Sequence, residues 1–337
     1  MRFLVTGGAG FIGSHYVRTL LEGGYEGYET ARVTVLDKLT YAGNRDNLPR
    51  SHPRLEFVQG DICDPQLVRE LAPGHDAMVH FAAESHVDRS LESASEFVRT
   101  NVGGTQNLLD ACLSSGIERV VHVSTDEVYG SIDEGSWTEE WPLAPNSPYA
   151  ASKAASDLIA RSYWRTHGLD LTITRCSNNY GPYQHPEKLI PLFVTNLLEG
   201  VPLPLYGDGL NIREWLHVDD HCRAIQLALT KGRAGEIYNI GGGNEQTNLG
   251  ITELLLDLVG ADSSMIRRVA DRKGHDQRYA LDETKIREEL GYAPRVPFAL
   301  GLADTVAWYQ NNPDWWKAVK HGHADTAAQS AAEKVGV

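Results

Sequence analysis

The sequence predicts an α/β protein built on a doubly wound parallel sheet, Rossmann-like, with a smaller α/β lobe for substrate. Three observations predict it. Short β-branched segments alternate with amphipathic ones, a Gly-rich turn follows the first segment, and the pattern changes near residue 178. Strands that alternate with helices pair in parallel through right-handed crossovers. The carboxyl ends of such strands share one edge of the sheet, where ligands bind.

Six short segments account for the predicted strands of the large sheet: Arg2–Thr6, Arg32–Leu36, Leu55–Val58, Ala77–Phe81, Arg119–Ser124 and Leu171–Arg175. The amphipathic stretches between them predict helices at Gly13–Leu21, Glu96–Ser114 and Ser152–Thr166. We therefore expect residues 1–178 to form a dinucleotide-binding domain that carries the catalytic residues.

The chain after residue 178 is organised differently. Residues 178–191 are rich in Pro, Tyr, Asn and His, and residues 202–214 form a second turn-dense stretch. Later residues mix predicted helices such as Ile251–Val259 with short strands such as Glu236–Ile240. We expect a smaller binding lobe over residues 179–320, with some segments returning to the main domain. Residues 321–337 lack core periodicity, which predicts a disordered tail.

Composition excludes several classes of function. The 337 residues predict about two domains. A net charge of −14 disfavours nucleic acid as a partner, because phosphate backbones need a basic surface. No apolar run is long enough for a bilayer, and the segment Phe3–Val5 is too short for a signal peptide. The four cysteines show no metal-ligand spacing, and His86 has no second ligand at suitable spacing, so we expect no metal and a reduced, cytoplasmic protein.

A Gly-rich turn follows the first predicted strand. Gly8, Gly10 and Gly13 satisfy G-x-G-x-x-G, and Gly7 adds an overlapping match. Such glycines let the backbone approach a pyrophosphate at a helix N-terminus. Asp37 closes the second predicted strand, where a carboxylate accepts hydrogen bonds from ribose hydroxyls and repels a 2′-phosphate, which favours NAD over NADP. The neighbouring Lys38 could offset part of that repulsion.

Two more strand ends extend this candidate cofactor site. Asp61 follows the third predicted strand and could reach the adenine amino group, whereas Ala82 and Ala83 follow the fourth and leave room for the nicotinamide ribose. The full candidate set for the cofactor is Gly7, Gly10, Phe11, Ile12, Gly13, Asp37, Lys38, Leu39, Thr40, Asp61, Ile62, Phe81, Ala82, Ala83, Thr100, Ser124, Tyr149, Lys153 and Asn179.

Tyr149 and Lys153 form the first catalytic pattern. Pro148 indicates a helix start, so positions i and i+4 face the same way. A free tyrosine has a pKa of about 10 and is no base at neutral pH. A nearby ammonium and a positively charged nicotinamide ring both favour the phenolate.

At these residues the sequence resembles the extended short-chain dehydrogenase/reductase family. The resemblance covers nearly the whole chain and includes the Gly-rich turn, Asn101–Thr105, Tyr149 and Lys153. It implies that a Ser or Thr at the end of the fifth strand hydrogen-bonds the substrate hydroxyl, and Ser124 and Thr125 are both candidates. It also implies a homodimer, because the helices predicted around residues 96–114 and 152–166 resemble the pair that forms a four-helix interface in that family.

Asp126 and Glu127 form the second catalytic pattern. Helix capping is the ordinary explanation for a Thr-Asp-Glu triplet. In this position, however, the triplet resembles that of the dTDP-glucose 4,6-dehydratases, which implies dTDP-glucose as substrate. Elimination of water after C4 oxidation needs a base at C5 and an acid at C6. The resemblance makes Glu127 the base and Asp126 the acid, whereas the residue types alone leave the two roles open.

The second half of the chain continues the resemblance over an ordered set of polar residues. It implies that Asn178, Lys188 and Leu189 contact the nucleotide sugar and that Asn179 contacts the cofactor. Ser85, after the fourth strand, is a further candidate for a sugar contact. The remaining candidate substrate ligands are Pro204 and Tyr206 at the base, Arg213 and Arg272 at the diphosphate, and Asn248 and His275 beside them.

Three other functions remain open at this point. A nucleotide-sugar 4-epimerase or decarboxylase shares the first oxidation but lacks the acid for C6. A 4,6-dehydratase acting on another NDP-hexose, such as GDP-mannose, would fit residues 184–190 and Asp37 poorly. A non-catalytic NAD-binding sensor would be expected to lack the Tyr149 and Lys153 pair, which is intact here.

Overall fold

A computed structural model describes residues 1–322 of the chain. Most of the tail that the sequence predicts, residues 323–337, lies outside the described residues. Its first two residues, His321 and Gly322, instead end a helical stretch that begins at residue 313. His321 pairs there with Glu199 at 2.7 Å, so the helix continues past the predicted boundary.

The strands and helices alternate through most of the chain. The strands are β1 (Arg2–Thr6), β2 (Arg32–Asp37), β3 (Leu55–Gln59), β4 (Ala77–His80), β5 (Arg119–Thr125), β6 (Leu171–Cys176), β7 (Asn178–Tyr180), β8 (Leu203–Tyr206), β9 (Ile212–His217), β10 (Ile237–Ile240), β11 (Glu245–Thr247) and β12 (Ile266–Val269). The helices are α1 (Phe11–Leu21), α2 (Pro65–Leu71), α3 (Val87–Glu92), α4 (Ser95–Phe97), α5 (Thr105–Ser115), α6 (Pro148–His167), α7 (Leu189–Glu199), α8 (Val218–Lys231), α9 (Asn248–Val259), α10 (Thr284–Leu290) and α11 (Phe298–Asn311).

Seven strands form one parallel sheet in the order β3-β2-β1-β4-β5-β6-β10. This confirms the predicted doubly wound fold, and the six predicted strands begin and end within one residue of the observed bounds. The chain adds β2 and β3 on one side of β1 and then crosses back to place β4 on the other side. This change of direction opens a crevice at the carboxyl ends of β1 and β4. The last strand, β10, comes from the second half of the chain.

The predicted helix around residues 96–114 is one continuous helical run with an irregular centre. α4 leads into a π-helical segment at Val98–Gly104 and then into α5. Asn101 lies in that segment, and its side chain bonds the backbone of Glu84 and the hydroxyl of Ser152. The irregular turn therefore ties the strand end after β4 to the helix that carries Tyr149.

The second half of the chain adds two small sheets above the crevice. β9 pairs with β7 in parallel and with β11 antiparallel, and β8 pairs with β12. A separate apolar core fills this part, with contributions from α7, α9 and α11. α8 and β10 come after residue 178 but return to the large sheet, as the sequence analysis allowed. The division of the chain into two domains at residue 178 therefore stays a prediction.

Two searches of the described residues gave no candidates. None of the helices within residues 1–322 combines the length and apolar character needed to cross a bilayer. Over the same residues, no group of three or more His, Cys, Asp or Glu side chains could hold a metal ion.

Candidate active site

A single cavity at the carboxyl ends of the strands brings most of the predicted site residues together. The cofactor candidates that line it are Gly7, Gly10, Phe11, Ile12, Gly13, Asp37, Lys38, Thr40, Asp61, Ile62, Phe81, Ala82, Ala83, Thr100, Ser124 and Asn179. The catalytic and substrate candidates that line it are Ser85, Thr125, Asp126, Glu127, Tyr149, Lys153, Asn178, Lys188 and Leu189.

The Gly-rich turn forms a cradle at one end of this cavity. Gly7 has φ +71°, and a Cβ there would lie 2.5 Å from the backbone nitrogen of Ala82. A Cβ at Gly13 would clash with the carbonyl oxygen of Gly7. Gly10 caps α1 without a side-chain hydrogen bond. The N-terminus of α1 is therefore open to an anion such as a pyrophosphate.

Asp37 lies beside this turn with only 8% of its surface exposed. Its carboxylate accepts hydrogen bonds from the backbone of Ala9 at 2.9 Å and of Leu39 at 2.8 Å. Burial raises its pKa, and these two N–H donors oppose the rise. Leu39 does not line the cavity. It contributes to the site through its backbone N–H, which donates to the carboxylate of Asp37.

Lys38 is engaged away from Asp37. Its ammonium lies 2.9 Å from Asp61, which also pairs with Arg99 at 3.1 Å. Partial burial acts to raise the pKa of Asp61, but hydrogen bonds from Cys63 and Lys38 lower it to about 2. The ammonium of Lys38 therefore pairs with Asp61.

The Thr-Asp-Glu triplet ends β5 and begins a short 3₁₀ turn. Thr125 caps that turn, since its hydroxyl accepts from the backbone nitrogen of Glu127 at 3.3 Å and donates to Asp126 at 3.2 Å. The ordinary capping explanation is therefore true of Thr125. Both carboxylates nevertheless line the cavity, so capping does not account for them.

The two carboxylates differ in their electrostatic surroundings. Asp126 is 2% exposed, and its Oδ2 has no hydrogen-bond partner among the described residues. Burial raises the pKa of Asp126 well above its ordinary value, and the charges of Glu127 and Glu214 add to the rise. Burial also raises the pKa of Glu127, but Arg272, Lys188 and Arg213 oppose that rise. Acidic neighbours thus add to the rise at Asp126, whereas three cations oppose it at Glu127.

Tyr149 and Lys153 lie on the first turns of α6, whose N-cap Ser147 accepts from the backbone of Ala150 at 3.1 Å. Burial raises the pKa of Tyr149 well above its ordinary value, Glu127 adds to this, and a hydrogen bond with Thr125 opposes it. Lys153 donates to the carbonyl of Val123 at 2.8 Å, and burial lowers its pKa. Burial and the charge of Glu127 therefore outweigh the hydrogen bond from Thr125 at Tyr149.

Six predicted substrate ligands do not line the cavity: Pro204, Tyr206, Arg213, Asn248, Arg272 and His275. They lie on the second lobe around it. Arg272 and Tyr206 both contact Asp88 of α3, at 3.5 Å and 3.2 Å. Arg213 donates to the carbonyl of Asp276 at 2.8 Å.

Two others of these six residues, His275 and Asn248, bond within the lobe. His275 pairs with Asp271 at 2.6 Å. Asn248 begins α9, and its backbone nitrogen donates to the carbonyl of Asn211 at 3.0 Å. The charges of Arg213 and Arg272 still reach Glu127.

The cavity also contains side chains that the sequence analysis did not single out. Gln184, His185 and Glu187 lie between Asn178 and Lys188, so their place in that segment was a usable signal. Cys176 and Trp215 also line the cavity, at a strand end and within β9. As isolated apolar residues of strands they carried no signal of function.

A dinucleotide cradle with a Tyr and Lys pair and an acidic pair at the same crevice defines the chain as an extended short-chain dehydrogenase/reductase. The family profile described as GDP-mannose 4,6 dehydratase matches residues 4–305. The chain therefore belongs to the family that this profile describes.

Two individual proteins with high sequence identity to this chain are dTDP-glucose 4,6-dehydratases. The dTDP-glucose 4,6-dehydratase of Streptomyces niveus is 62% identical over 322 residues, which cover 95% of this chain and 96% of that protein. The crystal structure of DesIV, a dTDP-glucose 4,6-dehydratase from Streptomyces venezuelae with NAD and dTDP bound, is 67% identical with a TM-score of 0.94. It covers 95% of this chain and 100% of that one.

The same fold also serves a different reaction in other proteins. The UDP-glucose 4-epimerase of Thermotoga maritima is 33% identical with a TM-score of 0.85, over 92% of this chain and 99% of that one. Fold alone therefore does not separate dehydration from epimerisation, and the decision rests on the residues of the cavity.

Proposed function

We propose that the protein is an NAD-dependent hydro-lyase that converts dTDP-glucose to dTDP-4-keto-6-deoxyglucose and water. One observation carries this proposal. Asp126 and Glu127 line the same cavity as Tyr149, and burial raises the pKa of both carboxyls, a rise that acidic neighbours add to at Asp126 and three cations oppose at Glu127. Elimination of water from C5 and C6 needs an acid and a base at once, whereas a 4-epimerase needs no acid at C6.

The residues at the Gly-rich turn fit a dinucleotide. The turn packs so tightly against its own backbone that Gly7 and Gly13 leave no room for a Cβ, and the open N-terminus of α1 supplies N–H donors for a pyrophosphate. Asp37 is placed to accept from the adenosine ribose, and Lys38 with Asp61 borders the adenine end. When bound, NAD⁺ accepts a hydride from C4 of the sugar and returns it to C6.

Tyr149 takes the proton of the sugar 4-hydroxyl in the first step. Thr125, whose side chain hydrogen-bonds Tyr149, orients that hydroxyl, and Ser124 lies one residue before it in the same cavity. Lys153 contributes a buried positive charge, fixed by its bond to Val123. Tyr149 is 8% exposed, so little water competes for the proton.

Glu127 and Asp126 divide the elimination between them. The new ketone at C4 makes the C5 proton acidic, and Glu127 removes it. Asp126 gives its proton to the departing 6-hydroxyl, which leaves as water. When the hydride is added at C6, C5 takes a proton back from Glu127, which has exchanged with solvent. The pKa directions support the roles that family resemblance implied, since Glu127 and Glu214 add to the rise at Asp126, whereas three cations oppose the rise at Glu127.

The second lobe supplies the positive charge for the substrate diphosphate. Arg213, Arg272 and Lys188 lie within electrostatic reach of Glu127. Lys188 bonds the carbonyl of Ser85 at 2.8 Å, which joins the lobe to the strand end that borders the sugar. Residues 179–320 therefore act as the binding lobe over a catalytic domain of residues 1–178.

The protein is proposed to act as a homodimer. The run that ends in α5 packs against α6, and Tyr163 bonds Asp110 at 2.5 Å between them. On the outer side of this pair, Val98 is 54% and Leu158 is 55% exposed. These two exposed apolar side chains on one helix pair support a four-helix interface. Light scattering of the wild type and of Leu158→Glu tests this, with a monomeric variant expected.

A cytoplasmic location is proposed from cysteine chemistry. All four cysteines lie in the described part of the chain and are free, and three of them are buried. Burial raises the pKa of Cys112 to about 12, which keeps that thiol protonated. These free thiols suit a reducing compartment.

Product analysis tests the proposed function. The protein is incubated with dTDP-glucose and a trace of NAD⁺, and the product is examined by mass spectrometry and NMR. A 4-ketone with a C6 methyl group and the loss of one water are expected. A hexose that keeps its 6-hydroxyl, epimerised at C4, would show that the chain is an epimerase.

A further inference from the structure

The peptide between Ala9 and Gly10 is held in place from outside the Gly-rich turn. Ala9 is fully buried, and its carbonyl oxygen accepts from the backbone of Asn44 at 3.0 Å and the side chain of Asn47 at 2.9 Å. The nitrogen of Gly10 donates to the carbonyl of Gly7 at 3.2 Å. Both ends of this peptide are therefore fixed immediately before α1 begins.

Asn47 is itself held by the far end of the chain. It is 2% exposed, and its side-chain oxygen accepts from the indole nitrogen of Trp315 at 2.9 Å. Trp315 belongs to the helical stretch of residues 313–322. A chain of two hydrogen bonds thus runs from the last described helix through Asn47 to Ala9.

An aromatic cluster fixes the ring of Trp315. Its centroid lies 5.2 Å from that of Trp308 and 5.5 Å from that of Tyr183. Tyr183 has φ +68°, a conformation that a non-glycine residue adopts only where its surroundings enforce it. The guanidinium of Arg18, on α1, lies 4.2 Å from the Tyr183 ring. The cluster therefore joins the binding lobe to the first helix of the dinucleotide fold.

We infer that Trp315 is a positioning residue for the cofactor, acting through Asn47 on the Ala9 peptide of the Gly-rich turn. That peptide orients the N-terminus of α1 on one side. On the other side, the nitrogen of Ala9 holds the carboxylate of Asp37. Loss of the indole N–H of Trp315 should therefore loosen the N-terminus of α1 and the carboxylate of Asp37 together. The inference rests on the proposed NAD-dependent function, in which the cofactor is regenerated at each turnover and has no need to leave.

Trp315→Phe tests this with little change of shape, because it keeps an aromatic ring and removes the N–H. It leaves a buried oxygen of Asn47 unpaired, which should weaken NAD⁺ binding about 10-fold. Trp308→Phe is the matched control. It lies in the same cluster, and its indole nitrogen makes no hydrogen bond to any of residues 1–322.

The readouts are the NAD retained after gel filtration, the Kd of NAD⁺ and of dTDP by calorimetry, and the melting temperature of the apoprotein. Trp315→Phe should lose NAD and keep the affinity for dTDP, while Trp308→Phe keeps both. Adding Asn47→Ala to Trp315→Phe should weaken NAD⁺ no further than Asn47→Ala alone, because both act on one path.

Several results would overturn the inference. Equal NAD⁺ affinity in Trp315→Phe and the wild type would do so. So would equal weakening in Trp308→Phe, or equal loss of dTDP, since either would reveal a general effect on packing. Additive effects of Asn47→Ala and Trp315→Phe would also contradict a shared path. Failure of the wild type to bind NAD would instead contradict the proposed function, so the two failures are distinguishable.

Discussion

Asp126→Asn separates the two halves of the proposed reaction. The side chain is 2% exposed and its Oδ2 lacks a hydrogen-bond partner among the described residues. Asparagine has the same shape and can still accept from Thr125 through Oδ1. The substitution therefore removes a transferable proton and little else. C4 oxidation should continue, and water loss should slow.

The size of the effect follows from the role of a general acid. Such a group contributes about 10²- to 10⁴-fold to a rate, so elimination should slow by that factor.

The same substitution should raise the melting temperature relative to the wild type as the pH rises. The raised pKa keeps Asp126 protonated in the folded state, so its contribution to stability is present at low pH and falls as pH rises above the unfolded value of about 3.9. The variant lacks that fall, and its melting temperature should gain on the wild type as pH rises.

Rapid mixing of the variant with dTDP-glucose gives the assay. Reduced cofactor, followed by its absorbance, should accumulate, because oxidation outruns elimination. In D₂O the C5 proton should still exchange, since Glu127 remains. The matched variant Glu127→Gln should also accumulate reduced cofactor but without exchange at C5. Equal slowing of oxidation and elimination in Asp126→Asn would mean that Asp126 positions the sugar and is not the acid.

Four further predictions follow from the same contacts. Tyr149→Phe should slow C4 oxidation about 10²- to 10⁴-fold while NAD stays bound, and robust turnover would remove Tyr149 from its role. Gly7 has φ +71° and lies against the backbone of Ala82, after β4, so Gly7→Ala should abolish NAD retention and lower the melting temperature. Normal NAD retention would mean that the turn can open to make room for the methyl group. Asp37→Ser should weaken NAD⁺ and improve NADP⁺ binding, and an unchanged ratio of the two Kd values would argue against Asp37 as the selecting group. Burial lowers the pKa of His80 and of His122, both nearly unexposed, so stability should fall as pH drops below about 6.5; a flat unfolding free energy between pH 7 and 5 would contradict this.

Much of the fold and the reactive centre could be predicted from the sequence because their signals are local. A buried parallel strand needs a short β-branched run, and a pyrophosphate cradle needs glycines at fixed spacing. Tyr149 and Lys153 are four residues apart on one helix. Their presence in one cavity follows from the topology alone.

Other features depend on residues that are distant in sequence. The different surroundings of Asp126 and Glu127 come partly from Arg272 on the second lobe, which no local pattern places beside Glu127. The bond between Asn47 and Trp315 joins residues 268 positions apart. The raised pKa of Tyr149 also differs from the expectation, because burial and the charge of Glu127, which the local pattern does not show, act on the phenol.

The central claim is that one site removes the C5 proton, expels the 6-hydroxyl and moves the C4 hydrogen to C6. Substrate deuterated at C4 tests this directly when it is mixed with unlabelled substrate and turned over by the wild-type protein. We predict that the deuterium appears in the C6 methyl group of the same molecule that lost it, with a 4-ketone and a solvent-derived proton at C5. Deuterium that remains at C4 of a hexose with an intact 6-hydroxyl would contradict the account.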